Sequence, residues 1–390
     1  MTNLNVRPMV RVFSLAIALV IAVGPAKAQR FTATDLGSFA GLVGTETTAL
    51  GINNAGTIVG SASRSDGAHS HAFSYSGGVM TDLGTLGGTW SEATAINSAG
   101  AIAGDSNVTG DTQLHAFLYR NGVMTDLGTL GGSFSRAFGI NNDNAVVGYS
   151  AVAGDTETHA FVYTNGVMTD LGTFGGPNSA AYSINDAGTI VGQAQFSGGL
   201  YHAFMFRNGV KTDLGTLGGS ESVAMAINSS GTVVGYSGVA GDKEHHAFKY
   251  SNGVTTDLGL LGGIFSHAAG INSAGNIVGE STYSTANSRH AFYFNGQLLD
   301  LNSTVSVAPL SLLQAAGIND SGQIVADAQN GHAFLLTPIV EPNPTPSPTP
   351  TPVPSPSGGS GGGGGGAPSW WFSGCMVLLC LRRLREENPG

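Results

Sequence analysis

HAFLYRNGVMTDLG, from His115 to Gly128, decides the fold. Asn121-Gly122 tolerates positive φ at both central turn positions, so the flanks HAFLY and VMTDL are expected to pair as a tight hairpin. Just upstream lies EATAINSAGAIAGDS (Glu92 to Ser106). There Asn97-Ser98-Ala99-Gly100 puts Asn first and Gly last in a type I turn, which predicts a second hairpin. The unit is then a meander of four short strands, named here A (ATAIN), B (AIAGDS), C (HAFLY) and D (VMTDLG). No apolar 3.6-residue period persists for three turns, so helices are not expected.

The same words return along the chain. His-Ala-Phe begins at His71, His115, His159, His202, His246, His290 and His332, with spacings of 44, 44, 43, 44, 44 and 42. Ile-Asn recurs at Asn53, Asn97, Asn141, Asn185, Asn228, Asn272 and Asn319. Asp-Leu-Gly runs from Asp35 to Asp257, and Leu299-Asp300-Leu301 is a degenerate seventh copy. Four strands every ~44 residues is the length class of a β-propeller blade. Strand A is rich in Ala and Gly (Ala93, Ala95, Ala137, Gly139, Ala180, Ala181), which suits an inner strand crowded about an axis. The array begins with a D strand, FTATDLG (Phe31 to Gly37), that has no HAF before it, and ends on a C strand, HAFLL, that has no D after it. The expectation is therefore an all-β, seven-bladed β-propeller of four-stranded blades, closed by the N-terminal strand. Closure leaves no long unpaired edge. A β-solenoid is the alternative, and it would need distinct terminal caps.

HAF, NG, TDLGTLGG, IN and IVG recur in one order, and this vocabulary resembles the HAF family of extracellular bacterial repeat proteins over residues 31–336. The resemblance implies an exported or surface location. It implies no established reaction.

Composition narrows the function classes. Charged residues are 10% of the chain, Gly numbers 60, and the formal net charge is −10. Residues 30–340 hold nine Lys/Arg against 22 Asp/Glu, so nucleic acid is excluded as an expected partner. Cys375 and Cys380 are the only cysteines, which leaves the repeats without a disulfide framework or a Cys-based zinc site.

Both ends read as addresses. Residues 1–28 carry Arg7 and Arg11, a 12-residue apolar run from Phe13 to Gly24, and Ala26-Lys27-Ala28, which is the pattern of a signal peptide cut before Gln29. The repeats occupy 29–340, and a Pro-rich then Gly-rich linker occupies 341–366. Prolines at every second position from Pro342 to Pro356 predict an extended polyproline II spacer, about 50 Å over 17 residues. Residues 367–390 hold the apolar WWFSGCMVLLCL and the basic RRLR. From 358 to 385 this end resembles the bacterial GlyGly-CTERM sorting tails, which implies recognition and cutting at the membrane. A retained membrane anchor is the alternative. The address expected is secretion or the cell surface of a Gram-negative-type bacterium.

Chemistry is sought where units differ. The HAF histidines each belong to their own blade, so they cannot converge on one metal ion and are expected to hydrogen-bond within it, to a neighbouring backbone group or to the Asp of TDLG. That Asp is read as a turn cap. Asp105, Asn107 and Asp111 are the one oxygen-rich stretch of calcium type, without the distal Glu of an EF-hand loop; no other cofactor is expected. No GxSxG, Walker A or HExxH motif occurs. The B–C and D–A loops share one face and vary in sequence. Trp90, Phe134, Asn178, Glu221 and Phe265 in the D–A loops, with Tyr201 in a B–C loop, are the expected ligand-binding residues. Their chemistry suits a carbohydrate or a surface protein. The expected function is a monomeric, non-enzymatic binding or adhesion scaffold. The alternatives are a polysaccharide lyase or glycosidase with its site at the axis, and a structural surface spacer.

Overall fold

The NG pairs make the turns their chemistry dictates. Asn121 and Gly122 have φ of 53° and 80°, and Asn165/Gly166, Asn208/Gly209 and Asn252/Gly253 repeat the pattern. The computed structural model describes residues 29–39, 46–64, 69–284, 288–306 and 311–340. The expected signal peptide, the linker and the C-terminal tail with its two cysteines lie outside the described residues, as do parts of two B–C loops. The chain divides into two units after Val340.

The third repeat shows the pattern. Strand A is Gly131–Ile140, B is Val146–Val152, C is Thr158–Thr164 and D is Val167–Asp170, each antiparallel to the next. Such four-stranded meanders follow one another along the chain, and two parallel bridges, Thr158↔Asn178 and His245↔Phe265, join neighbours into eight-stranded sheets. Among the described residues helical backbone is confined to the 3-10 turn Leu301–Ser303 and to Phe39. No helix there is long and apolar enough to cross a membrane. The leading strand Phe31–Asp35 runs antiparallel to the trailing strand Ala333–Pro338, in register from Phe31↔Pro338 to Asp35↔Phe334.

Strand A is longer than the sequence suggests. It starts at the Gly-Gly of TLGG, read above as loop, and shifts register between Gly131 and Ser135. Two glycines permit this path. Gly131 has φ of 101°, and a Cβ on Gly132 would sit 2.6 Å from Ala151 Cβ. The Gly of IVG is the other fixed point, where A and B approach at a bulge: a Cβ on Gly148 would lie 1.8 Å from the Arg136 carbonyl oxygen.

The HAF words build the core. Their alanines and phenylalanines are buried, from Ala72 and Phe73 to Ala333 and Phe334. Each Phe packs across a boundary between repeats: Phe161 meets Ala103, Ala116 and Leu127, and Phe73 meets Leu36, Val325 and Ala333. Burying each ring contributes about 2–3 kcal/mol.

Three polar words stitch this core. Each HAF histidine pairs through Nδ1 with a TDLG aspartate: His71–Asp82 at 2.9 Å, His159–Asp170 at 2.7 Å and His246–Asp257 at 2.8 Å. His332 finds its aspartate 297 positions away, at Asp35, 2.8 Å. The same carboxylates cap the turn that follows, as where Gly128 N–H donates to Asp126 at 2.8 Å. The Ser at the start of A links neighbours: Ser135 Oγ accepts from Ala116 N at 2.8 Å and donates to Gly128 O at 2.6 Å. Each Ile-Asn does two jobs. Asn97 Oδ1 accepts from Ala99 and Ala101 N–H inside its own turn, while Nδ2 donates 3.0 Å to the Asn141 carbonyl of the next repeat. The bonds run Asn53 to Asn97, Asn97 to Asn141, Asn141 to Asn185, Asn185 to Asn228, Asn228 to Asn272 and Asn272 to Asn319. Asn319 donates to Asn53 at 3.1 Å, so the series returns to its start.

Candidate functional site

Consecutive A strands touch one another, and the last, Leu312–Ile318, touches the first, Thr47–Ile52. Side chains of A that turn away from the sheet-packing positions therefore meet side chains from other repeats. At the place just after the linking Ser the repeats carry Thr48, Glu92, Arg136, Ala180, Val223 and His267. Their partners on B are Ser61, Asp105, Tyr149, Gln193, Tyr236 and Glu280. The surrounding words are constant and these positions are not.

One half of this region is ionic. Arg136 Nε donates to Asp105 Oδ2 at 3.0 Å, and Arg136 Nη2 lies 3.6 Å from Glu92 Oε2. Glu92 also accepts from Ser61 Oγ at 3.1 Å. The Asp105 side chain has no exposure, and its Oδ1 has no hydrogen-bond partner. Burial pushes the Asp105 carboxyl up to about 7, against the opposing pull of Arg136. Burial of the Arg136 guanidinium works against its charge, yet the Asp105 carboxylate beside it holds its pKa above the ordinary value. Asp327 is also pushed up to about 7, chiefly by burial, although Ala49 N–H donates to its Oδ1 at 3.1 Å.

The other half is aromatic. Phe138 stacks on Tyr149 at 5.7 Å and meets Tyr182 edge-on at 5.3 Å. The Arg136 guanidinium lies 5.6 Å from the Phe138 centroid. Burial raises the Tyr182 and Tyr236 hydroxyls above their usual pKa. Tyr236, His245 and Phe265 form a triangle of rings with centroids 6.1 to 6.5 Å apart. Glu221 Oε1 reaches His245 Nε2 at 2.9 Å, and its side chain stays 44% exposed.

The expected ligand-binding residues need two corrections: Tyr201 opens strand C, paired with Gln195, and does not lie in a B–C loop, and Trp90, Phe134, Asn178, Glu221 and Phe265 lie in strand A, at its register shift, and not in a D–A loop. The Gly-Gly before them shortens the loop and hands its residues to the strand. All are half-buried. Asn178 Nδ2 lies 3.3 Å from Tyr201 Oη, so those two come together. Glu221 and Phe265 share the His245 ring, and Phe134 packs edge-on against Tyr149 at 6.0 Å. The ionisable members Glu92, Arg136, His245 and His267 went unread in the sequence, and Asp105 was read only as a calcium candidate; their variation between otherwise constant words was the available signal.

Of the calcium candidates, Asp105 is held by Arg136, while Asn107 Nδ2 donates to Asp111 Oδ1 at 3.1 Å. Asp111 Oδ1 also accepts from Thr89 N–H at 2.7 Å. Among the described residues no group of three His, Cys, Asp or Glu is placed to hold a metal ion.

A second feature lies at the A–B turns. Asn53, Asn97, Asn141, Asn228, Asn272 and Asn319, backed by isoleucines such as Ile96 and Ile140, line a cup of about 230 Å³. Asp186 and Asp320 stand there too. Asp320 accepts from Asn54 Nδ2 and Ser273 N–H, both at 2.8 Å.

No protein-family model and no curated protein matches the chain. Solved structures do. The β-propeller domain of the Trilobed protease from Pyrococcus furiosus, described as an open velcro topology, is similar at TM-score 0.52 and 9% identity, over 80% of this chain and 98% of that one. The fold is all-β and propeller-like. A puromycin-hydrolyzing peptidase of Mycobacterium tuberculosis is similar at TM-score 0.50 and 10% identity, over 77% of this chain and 52% of that one. This chain thus matches about half the length of that peptidase, and both likenesses are of fold alone.

Proposed function

We propose that residues 29–340 form a seven-bladed β-propeller closed by the N-terminal strand, and that it serves as an exported, non-enzymatic binding scaffold for a carbohydrate or a surface protein. The closing bond of Asn319 to Asn53, the pairing of Phe31–Asp35 with Ala333–Pro338 and the His332–Asp35 pair support the ring. One observation carries the binding role. The side chains that differ between repeats gather on A and B, where aromatic rings and amides stand half-buried beside the accessible carboxylates of Glu92 and Glu221, while the constant words are spent on the scaffold. Aromatic faces beside amides and carboxylates are the chemistry that grips sugar rings.

A lyase or glycosidase needs two carboxylates open to one cleft. Glu92 is 20% exposed, but its neighbour Asp105 is enclosed, which favours binding over catalysis. In this reading the chain is exported through residues 1–28, and the C-terminal segment holds or sorts it at the membrane.

The test is a glycan array probed with the full chain, beside Trp90→Ala and Phe134→Ala. Binding to a defined glycan class, weakened in the variants, is the expected result. Absence of any glycan or surface-protein binding would leave the spacer reading in its place.

A further inference from the structure

We infer that the ligand carries a positive charge, and that its class is an amino sugar with a free ammonium group, held by Glu221, Tyr236 and Phe265. This rests on the binding role proposed above and names the ligand of the same region. Three observations lead to it.

The first is an aromatic nest beside a carboxylate. The Tyr236, His245 and Phe265 rings are tilted 52° to 67° to one another with centroids 6.1 to 6.5 Å apart, and His267 meets Tyr236 edge-on at 5.2 Å. Glu221 stands at the edge of this nest through its 2.9 Å contact with His245. Ring faces attract a cation through their quadrupole, and a carboxylate beside them adds a charged acceptor. The second is that Glu221 is reachable: it is 44% exposed, and the His245 side chain 30%. The third is the charge balance. Arg136 is committed to Asp105 and Glu92, and Arg289 to Glu280 at 3.2 Å, so neither of these arginines is left for Glu221. No cation is paired with Glu221 among the described residues; its partner is an imidazole. An anionic sugar would meet net negative charge here, and a neutral one would leave that charge unused. An ammonium on the ring satisfies the carboxylate, while the apolar face of the sugar lies on Tyr236 or Phe265.

The experiment is calorimetric titration of the full chain with a glucosamine oligomer, its N-acetylated counterpart and a neutral glucose oligomer. The free-amine oligomer is expected to bind at least tenfold more tightly than the acetylated one, with an affinity that falls as salt rises. Glu221→Gln keeps the shape of the side chain and removes the charge. It should lower affinity for the amine about tenfold and abolish its salt dependence, so that the free-amine and acetylated oligomers bind about equally; Phe265→Leu should weaken all sugars. Equal or tighter binding of the acetylated oligomer, or an unaltered Glu221→Gln variant, overturns the ammonium assignment and leaves the binding role standing. If none of the oligomers binds and the glycan array is also blank, the binding role itself falls.

Discussion

Asn228 shows how one residue type can carry a whole architecture. Its Oδ1 accepts from Ser230 N–H at 3.1 Å and Thr232 N–H at 3.0 Å, and its Nδ2 donates to the Asn272 carbonyl at 3.0 Å. Asn228→Ala should cost about 2–3 kcal/mol in chemical denaturation, because buried donors and acceptors are left unmade. Asn228→Asp keeps the turn cap and loses the donated bond, so its cost should fall between wild type and Ala. The turn half of this role is legible in NSSG and its relatives. The half that reaches the next repeat is not, because the partner is a main-chain carbonyl some 44 positions away. The His–Asp pairs are legible for the opposite reason: in most repeats they sit 11 residues apart on adjacent strands. Asp327 makes a pH prediction. Its carboxyl is raised to about 7, so folding favours the protonated form, and its contribution is present below the unfolded pKa near 3.8 and lost as pH rises through 7. Asp327→Asn keeps an acceptor for Ala49 N–H and removes the buried charge. Its thermal midpoint should match wild type near pH 4 and exceed it at pH 8, by the equivalent of about 2 kcal/mol.

At the scale of the strand, the A–B hairpin is the demanding element. The Gly of IVG recurs because B passes so close to A that a Cβ would strike a carbonyl oxygen, at 1.9 Å for Gly192 and Gly235 and 1.8 Å for Gly148. The seventh repeat carries Ala326 instead, and there strand A breaks register between Leu312 and Gln314. Gly148→Ala should therefore destabilise by about 2–4 kcal/mol in a denaturant titration, as overpacking against backbone does. A cost under half a kcal/mol would mean that A and B are not held at this separation. Strand assignments were legible from turn chemistry alone, since NG and NxxG fix two hairpins per repeat. The start of A was not. TLGG looks like loop, yet the two glycines let the strand begin there and lift Trp90, Phe134, Asn178, Glu221 and Phe265 out of the connection. The binding candidates were found by their variation between repeats. Arg136, Tyr149 and Tyr236 vary equally but lie within strands A and B, outside the connections where variation was sought.

For the whole molecule, the split of the repeat between the two ends is the consequential feature. Phe31 is 1% exposed and packs among Leu301, Leu312, Phe334 and Leu336, so the leading strand is part of the last repeat's core. Deleting residues 29–38 should lower the thermal midpoint by more than 10 °C, because it removes a buried Phe, a strand ladder and the partner of His332 together. If the signal reading of residues 1–28 holds, N-terminal sequencing of the exported protein should begin at Gln29. The most direct measurement is a disulfide between the two ends. Thr32 and Thr337 are cross-strand partners in register, and directly opposed residues have Cα atoms about 4.5–5.5 Å apart. In a Cys375→Ser/Cys380→Ser background, Thr32→Cys with Thr337→Cys should form one intramolecular bond under mild oxidation and raise the unfolding temperature. Two thiols that stay free, or that link only between molecules, would contradict the closed ring.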